Sequence, residues 1–369
     1  MKKIIVTVIC MLLLPLSVAT AQAEEISYDL SGVYNCLSDE AKEHMLSLGA
    51  DSADVNTLSG LSFESILSEI GKIAAQNADS PCKGLISATA MLLICSMLSV
   101  YKGSLNSDLH SVLDITLSLC LCASAALPAA EMIVSAGEVL INASNLMLAF
   151  VPVSAMLMTA AGSVAGSAAH YAAVLWLGEA VLQLSSRVVI PMMQMLLGLS
   201  VACGISNDVP FGGFIKTLSK TSRWILGFLM GIFSATLGLK QVLSGSIDSI
   251  TGRAAKFAVS SFVPVVGSAL GEALKTIHSS VSLLKSGVGV FVILALAVTF
   301  LPLLLRTLLW LMTLWLAKST AEALRLPQGA GLLGAVSEVF STLLALLLCV
   351  MTVYIISAAM VFAIGGAVV

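Results

Sequence analysis

The amino-acid sequence predicts an all-α, polytopic integral membrane protein with about 6–8 transmembrane helices. Composition and segment length predict this class. Hydrophobic residues make up 58% of the chain and charged residues 11%, whereas a soluble domain carries about 25% charged residues. The mean hydropathy is +1.01, and apolar segments of roughly 20 residues, the length that crosses a bilayer, recur along the chain. Such a chain has too little polar surface to face water and belongs in a lipid bilayer.

The first 23 residues have the pattern of a cleavable signal peptide. Lys2 and Lys3 precede an apolar stretch, Ile4–Leu16, and Ala21-Gln22-Ala23 fits the small-x-small rule for cleavage. An uncleaved first transmembrane helix is the alternative, although the apolar stretch is short for a span. The prediction therefore divides the chain into a signal peptide (1–23), an acidic exported helical segment (24–83) and a multi-span transmembrane domain (84–369).

The segment that would be exported, residues 24–83, contains eleven acidic and three basic residues. Within it, Leu61–Ala74 has apolar residues at helical spacing, which predicts an amphipathic helix. That helix would lie on the membrane surface, dock on a partner, or pack against a second helix over Asp39–Leu48. Cys36 and Cys82 could form a disulfide or remain free thiols.

Seven apolar segments follow the acidic segment. Two of them exceed the length of one crossing. Each of these two contains a proline and an arginine, so each is either one tilted helix or a broken pair. They are Ala172–Ala202 and Val288–Leu316, and the other segments are Gly84–Tyr101, Val112–Ala130, Val139–Ala161, Trp224–Leu239 and Val339–Ala363.

Loop charges do not fix the orientation of the Trp224–Leu239 segment. Lys216, Lys220 and Arg223 precede it, and further basic residues follow it. Basic loops mark the cytoplasmic side of a membrane. Because both ends are basic, the sidedness of the second half of the chain stays open.

The tetrapeptide FVPV occurs twice, at Phe150–Val153 and at Phe262–Val265, which lie 112 residues apart. Proline removes a backbone donor and clashes with the preceding helical turn. The second copy lies in Phe257–Gly271, which is too short to span and suits a re-entrant or half-helix element. Broken helices at matching positions are typical of transporters built from two repeated halves, although a four-residue match also arises by chance. Pro152 and Pro264 are therefore predicted to form part of a conduit or gate.

Ionisable residues inside apolar segments are the second functional signal, because they usually face a cavity or a counter-charge. Glu179 and Arg187 lie well inside a long apolar segment and are predicted to line the conduit or gate. They are separated by about 12 Å along a helix, so each needs a partner on another helix. Arg306 is a similar intramembrane charge, whereas Glu131 and Glu138 are expected to mark the end of a loop.

Enzyme chemistry has little support in the sequence. There is no G-x-x-x-x-G-K-[ST] phosphate-binding loop, no H-E-x-x-H and no G-x-S-x-G. The four histidines are scattered, and Cys120-x-Cys122 lacks the further ligands of a metal site. The chain also has no basic surface typical of nucleic-acid binding. We therefore expect no enzyme, no cofactor, no metal site and no nucleic-acid partner, with membrane lipid as a partner.

One part of the chain resembles a known family. Asp248–Gly267 reads DSITGRAAKFAVSSFVPVVG, and SLLKSGVGV follows at Ser282–Val290. Both stretches resemble the stage III sporulation protein AE family of endospore-forming bacteria. In that family an aspartate, an arginine and a lysine-aromatic pair precede a Phe-[Ile/Val]-Pro-Val segment. The positions that match this motif are Asp248, Arg253, Lys256, Phe257, Phe262 and Pro264.

The resemblance implies a function in endospore development. It implies an integral protein of the mother-cell membrane around the forespore, within a channel or transport complex that supports late forespore gene expression by sigma factor G. The implied partners are the other proteins of the stage III sporulation A operon, including an ATPase subunit, and the forespore protein called stage II sporulation protein Q. Two other functions are compatible with the residues: a stand-alone secondary transporter with a midplane site, and a membrane scaffold that transports nothing.

Overall fold

The computed structural model describes residues 31–50, 63–100, 107–160, 172, 176, 178–205, 212–233, 235–236 and 267–363. These residues are 95% helical and include no β-strand, so the prediction of an all-α fold is confirmed. In chain order the helices are α1 (Ser31–Asn35), α2 (Asp39–Ser47), α3 (Phe63–Gln76), α4 (Asp79–Val100), α5 (Ser107–Ala160), α6 (Glu179–Leu184), α7 (Ile190–Ile205), α8 (212–233), α9 (Gly267–Ala323) and α10 (Pro327–Ala363).

Five stretches within the described helices are long and apolar enough to cross a membrane, which confirms a polytopic membrane protein. The sequence predicts about 6–8 crossings, and the count of five refers to the described residues alone. Helix α8, which carries three basic residues, is not among the five. The candidate spans are Asp79–Leu98, Ser118–Leu157, Glu179–Ala202, Val288–Ala323 and Pro327–Ala359.

The centre of the bundle is an antiparallel hairpin formed by α9 and α10. The turn between them closes with a hydrogen bond of 2.9 Å from the Leu326 N–H to the Ala321 carbonyl. Arg325 in this turn has a φ of 55°, the left-handed conformation that often ends a helix. Because α4, α5 and α7 pack around the hairpin, 89% of the most apolar stretch of α9 and 78% of that of α10 are buried. Trp310 and Phe340 stack across the hairpin, with ring centroids 5.8 Å apart.

Helix α5 joins two segments that the sequence separates, so the prediction of a loop at Glu131 and Glu138 is wrong. The helix continues through both glutamates for 54 residues in total. Both side chains are exposed, while a buried stripe of apolar residues at helical spacing runs past them without interruption. Packing of this stripe against α9 and α10 outweighs the two charges, which stay on the outer face. The stripe in this region consists of Ala129, Met132, Ile133, Ala136 and Leu140.

The two long apolar segments differ in the structure. Within Ala172–Ala202, the described backbone stays helical from Glu179 to Ala202 and widens into a π-helical turn at Ser185–Val189. Pro191 follows this turn; it has no N–H to donate to the carbonyl of Arg187 and crowds the preceding turn. A wider π-helical turn accommodates that loss. Val288–Leu316 is instead part of one continuous helix, because α9 passes through Pro302 without a break.

Candidate functional site

Helix α8 is amphipathic in a way that the sequence prediction missed. Its buried residues recur at helical spacing and include two serines, Ser219 and Ser222. The prediction placed Lys216, Lys220 and Arg223 in a loop before an apolar helix, but all three lie inside α8. A helix can begin this early because no proline follows Gly212 and a continuous buried stripe supports it. The other buried residues of the stripe are Ile215, Leu226 and Phe233.

Arg223 joins α8 to the central hairpin. Its Nη2 donates to the Oε2 of Glu338 on α10 at 2.5 Å, and its Nη1 donates to the Oγ of Ser341 at 2.8 Å. The same Nη2 also donates to the Oγ of Ser219 at 2.8 Å. The guanidinium is therefore held by one carboxylate and two hydroxyls, and a planar donor fork suits such an arrangement.

Two buried hydroxyls complete the network. The Oγ of Ser219 donates to the Oε2 of Glu338 at 2.9 Å and lies 2.9 Å from the Oγ1 of Thr342. Thr342 also donates to the backbone carbonyl of Glu338 at 2.8 Å. Ser219 and Thr342 are fully buried, whereas the side chains of Arg223 and Glu338 are 35% and 31% exposed. We call this network the polar seam, defined by Ser219, Arg223, Glu338, Ser341 and Thr342.

Contacts beyond the polar seam fix the direction of α8. The Sγ of Cys349 donates to the backbone carbonyl of Leu226 at 3.3 Å. Ser219 pairs with Thr342 and Leu226 with Cys349, so residue numbers increase in the same direction along both helices. Helices α8 and α10 therefore run parallel. Ser222 adds a link to α7, because its Oγ lies 3.9 Å from the Sδ of Met192.

A second pair of charges links α9 to α5. The Nη2 of Arg306 lies 3.9 Å from the Oε2 of Glu131. The structure thus brings together an arginine that the sequence marked as an intramembrane charge and a glutamate that it placed in a loop. The Glu131 side chain is 70% exposed, so this pair is weaker than the polar seam.

The residues predicted for the conduit do not converge in the described part of the chain. Pro152 lies on the exposed face of α5, which continues as an α-helix through it, so the prediction of a broken helix at the first FVPV is wrong. Its side chain faces away from the bundle, where the lost backbone bond disturbs no packing. Glu179 is exposed and accepts a hydrogen bond of 2.7 Å from Gln183 Nε2. Arg187 is exposed in the π-helical turn.

The family-motif residues lie outside the described residues. They are Asp248, Arg253, Lys256, Phe257, Phe262 and Pro264. Helix α9 begins at Gly267 and continues past Glu272. The end predicted for a short element at Gly271 is therefore wrong, because the apolar core of α9 supports one long helix from Gly267 onward.

Comparison with known proteins places the chain in a sporulation family. A family model described as Stage III sporulation protein AE (spore_III_AE) matches residues 54–365. The chain belongs to the stage III sporulation protein AE family. This confirms the resemblance of the Asp248–Gly267 stretch, and membership of the family implies a role in sporulation.

A curated member of the stage III sporulation protein AE family is similar to this chain at low identity. The protein from Bacillus subtilis (strain 168), named Stage III sporulation protein AE, is 24% identical over 155 residues. That match covers 42% of this chain and 39% of the relative, so the chain spans about two-fifths of the curated relative that it matches. No solved structure matches the chain.

The sequence prediction for this stage III sporulation protein AE family member did not include Glu338. The predicted apolar segment, Val339–Ala363, begins one residue after this glutamate. A usable signal was present, because Glu338, Ser341 and Thr342 share one helical face, as do Ser219 and Arg223. Polar residues at this spacing beside apolar segments indicate an interhelical contact.

The acidic segment of the family member contains a second buried polar cluster. The Nδ1 of His44 on α2 lies 2.9 Å from the Oε1 of Glu69 on α3, and both residues are buried. Lys72 donates to the Oε2 of Glu69 at 3.0 Å. Of the placements predicted for α3, packing against the preceding helix is therefore the one in the structure. Cys36 and Cys82 are free thiols.

The pKa of Glu69 reflects two opposing effects. Burial raises the pKa of this carboxyl, but hydrogen bonds from His44, Ser47 and Lys72, with the charge of Lys72, outweigh burial. The pKa of Glu69 is therefore lowered from its ordinary value of 4.5. A carboxyl whose pKa is lowered by folding stabilises the folded protein. This stabilisation is complete at pH values above the ordinary pKa of the carboxyl. That contribution is lost as the pH falls from 4.5 through the lowered pKa.

Replacing Glu69 by glutamine should lower the free energy of unfolding at pH 7 by about 2 kcal/mol, because hydrogen bonds to a charged group are lost. The difference in melting temperature between wild type and Glu69→Gln should shrink as the pH falls below 4.5. Thermal unfolding of the purified protein in detergent at several pH values measures this. The exposed Glu43 on the same pair of helices supplies the control, Glu43→Gln. A difference that stays constant with pH would contradict the assignment.

Proposed function

We propose that this protein is a membrane component of the mother cell–forespore channel complex and supports late forespore gene expression by sigma factor G. It resides in the mother-cell membrane that surrounds the forespore. Membership of the stage III sporulation protein AE family supports the role in sporulation. The polar seam supports the membrane role, since it is a network of charges and hydroxyls between helices of an otherwise apolar bundle.

The polar seam suits a conduit for physical reasons. Polar groups inside a bilayer are costly unless they bond to one another or border water. Arg223 and Glu338 keep about a third of their side chains exposed while their inner atoms bond to buried hydroxyls. The seam therefore joins an open side, where charges remain accessible, to a closed side, where Ser219 and Thr342 are fully buried. A separation of α8 from α10 would expose hydroxyls that can bind water or a polar solute.

The proposed partners are the other proteins of the stage III sporulation A operon, including an ATPase subunit, and stage II sporulation protein Q on the forespore side. This chain contains no G-x-x-x-x-G-K-[ST] loop, and the ATPase subunit would supply energy in its place. The chain itself catalyses no reaction in the complex. It forms part of the conduit across the membrane.

Cysteine accessibility in sporulating cells tests the proposal. The eight native cysteines are replaced, and Ser341→Cys or Thr342→Cys is introduced into the polar seam. A membrane-impermeant thiol reagent should label Ser341→Cys directly, and should label the buried Thr342→Cys when α8 separates from α10 and opens the conduit to water. Leu343→Cys on the same helix is the control, since this residue is buried in the apolar core.

The same labelling separates the alternatives. Labelling that disappears when the operon partners are deleted supports a conduit within a complex. Labelling that persists without them, together with ion-coupled uptake in proteoliposomes of the purified chain, would favour a stand-alone transporter. Complete protection of both positions while wild-type sporulation is retained would contradict the conduit and favour a scaffold.

A further inference from the structure

The outward face of α8 carries a row of side chains that the polar seam does not use. Lys216 and Lys220 are exposed one turn apart. Trp224 and Phe228 follow at the same spacing, 67% and 56% exposed, and Ile232 continues the row at 44%. The two rings stack with centroids 5.4 Å apart and an angle of 8° between their planes. We call these five residues the outer row.

The outer row faces away from the protein. Ser219 and Ser222 lie on the opposite face of α8, fully buried against α10 and α7. Among the described residues neither Lys216 nor Lys220 forms an ion pair, and α8 contains no aspartate or glutamate. The remaining basic residue, Arg223, is bound to Glu338. Two positive charges therefore remain available on the outer face.

The order of groups along the outer row matches that of a phospholipid. Two cations come first, then two aromatic rings, then an aliphatic side chain. A lipid presents an anionic phosphate, then the interfacial layer in which tryptophan is enriched, then acyl chains. Lysine side chains on a helix lean toward its N-terminus, which carries Lys216 and Lys220 away from the rings and toward the headgroup layer. We infer that the outer row binds an anionic phospholipid, with its phosphate on the two lysines and its acyl chains against Trp224, Phe228 and Ile232.

Quenching by brominated lipids tests this inference on the full chain in bilayers. Brominated phosphatidylglycerol should quench tryptophan fluorescence more strongly than brominated phosphatidylcholine at the same mole fraction. The preference should be about fivefold or more, the order expected for lysines beside an anionic lipid. Trp224→Phe should remove the lipid-selective part of the quenching, since Trp224 is the tryptophan of the outer row.

Two double variants at these lysines, and a third in the acidic segment as the control, assign the lipid preference to charge. Lys216→Gln/Lys220→Gln should quench equally with both lipids, whereas Lys216→Arg/Lys220→Arg should keep the preference. Lys42→Gln/Lys83→Gln, which removes the same charge from the acidic segment, should also keep it. Equal quenching of the wild-type protein by both lipids would overturn the inference. If the wild-type protein shows this equal quenching and the glutamine variant still loses sporulation, the lysines belong to an acidic protein partner instead.

Discussion

Replacing Glu338 by alanine should destabilise the protein by about 1–2 kcal/mol and strongly reduce the yield of heat-resistant spores. Hydrogen bonds to a charged group contribute about 1.5–3 kcal/mol, and exposure of about a third of each side chain lowers that figure through solvent screening. The change leaves the guanidinium of Arg223 and the hydroxyl of Ser219 without their carboxylate. Thermal unfolding in detergent and spore counts measure the two effects.

A double-mutant cycle separates the pair from the individual residues. The cycle consists of Arg223→Met, Glu338→Met and the double variant, and the double variant should be less damaging to stability than Glu338→Met alone, because no unpaired charge remains between the helices. The control is Glu322→Ala, whose carboxylate is 60% exposed and lies 3.9 Å from Lys318. Equal destabilisation by Glu322→Ala and Glu338→Ala would show that the polar seam has no special stabilising effect.

Replacing Gly84 by alanine should destabilise the protein by about 1–3 kcal/mol, the usual cost of overpacking a filled core. A Cβ at this position would overlap the indole ring of Trp310, which is buried and stacked on Phe340. The ring cannot move aside without disturbing the central hairpin. Thermal unfolding in detergent measures the loss.

Gly198 supplies the matched control for Gly84, because nothing lies within 4 Å of a Cβ built there. Gly198→Ala should be neutral or slightly stabilising, since alanine is the better helix former. Combining Gly84→Ala with Trp310→Phe should recover part of the lost stability by making room. If Gly84→Ala behaves like Gly198→Ala, the close approach of α4 and α9 is not present in solution.

The fold class could be predicted from the sequence because it depends on composition and on the length of apolar runs. The positions of helix boundaries could not. Glu131 and Glu138 suggested a loop, yet the buried stripe on the other face of α5 kept the helix intact. Pro191 and Pro302 look alike in the sequence, but only the first is accompanied by a π-helical turn. Packing by neighbouring helices decides such cases, and sequence periodicity contains little of that information.

The candidate site was harder to predict than the fold. Arg223 and Glu338 are 115 residues apart in the chain, and only the parallel packing of α8 and α10 brings them together. Charges deep within an apolar segment drew attention to Glu179 and Arg187, which the structure places on exposed surfaces. The residues that do pair lie near the ends of apolar segments, where the sequence shows an ordinary transition from polar to apolar.

The parallel packing of α8 and α10 determines how the chain is threaded through the bundle. Helix α10 runs opposite to α9, because a turn of three residues joins them. Helix α8, parallel to α10, therefore also runs opposite to α9. It follows that α8 ends and α9 begins at the same end of the bundle. The described helices α8, α9 and α10 thus run along the bundle in alternating directions. The two termini of this three-helix unit, Gly212 and Ala363, therefore lie at opposite ends of the bundle.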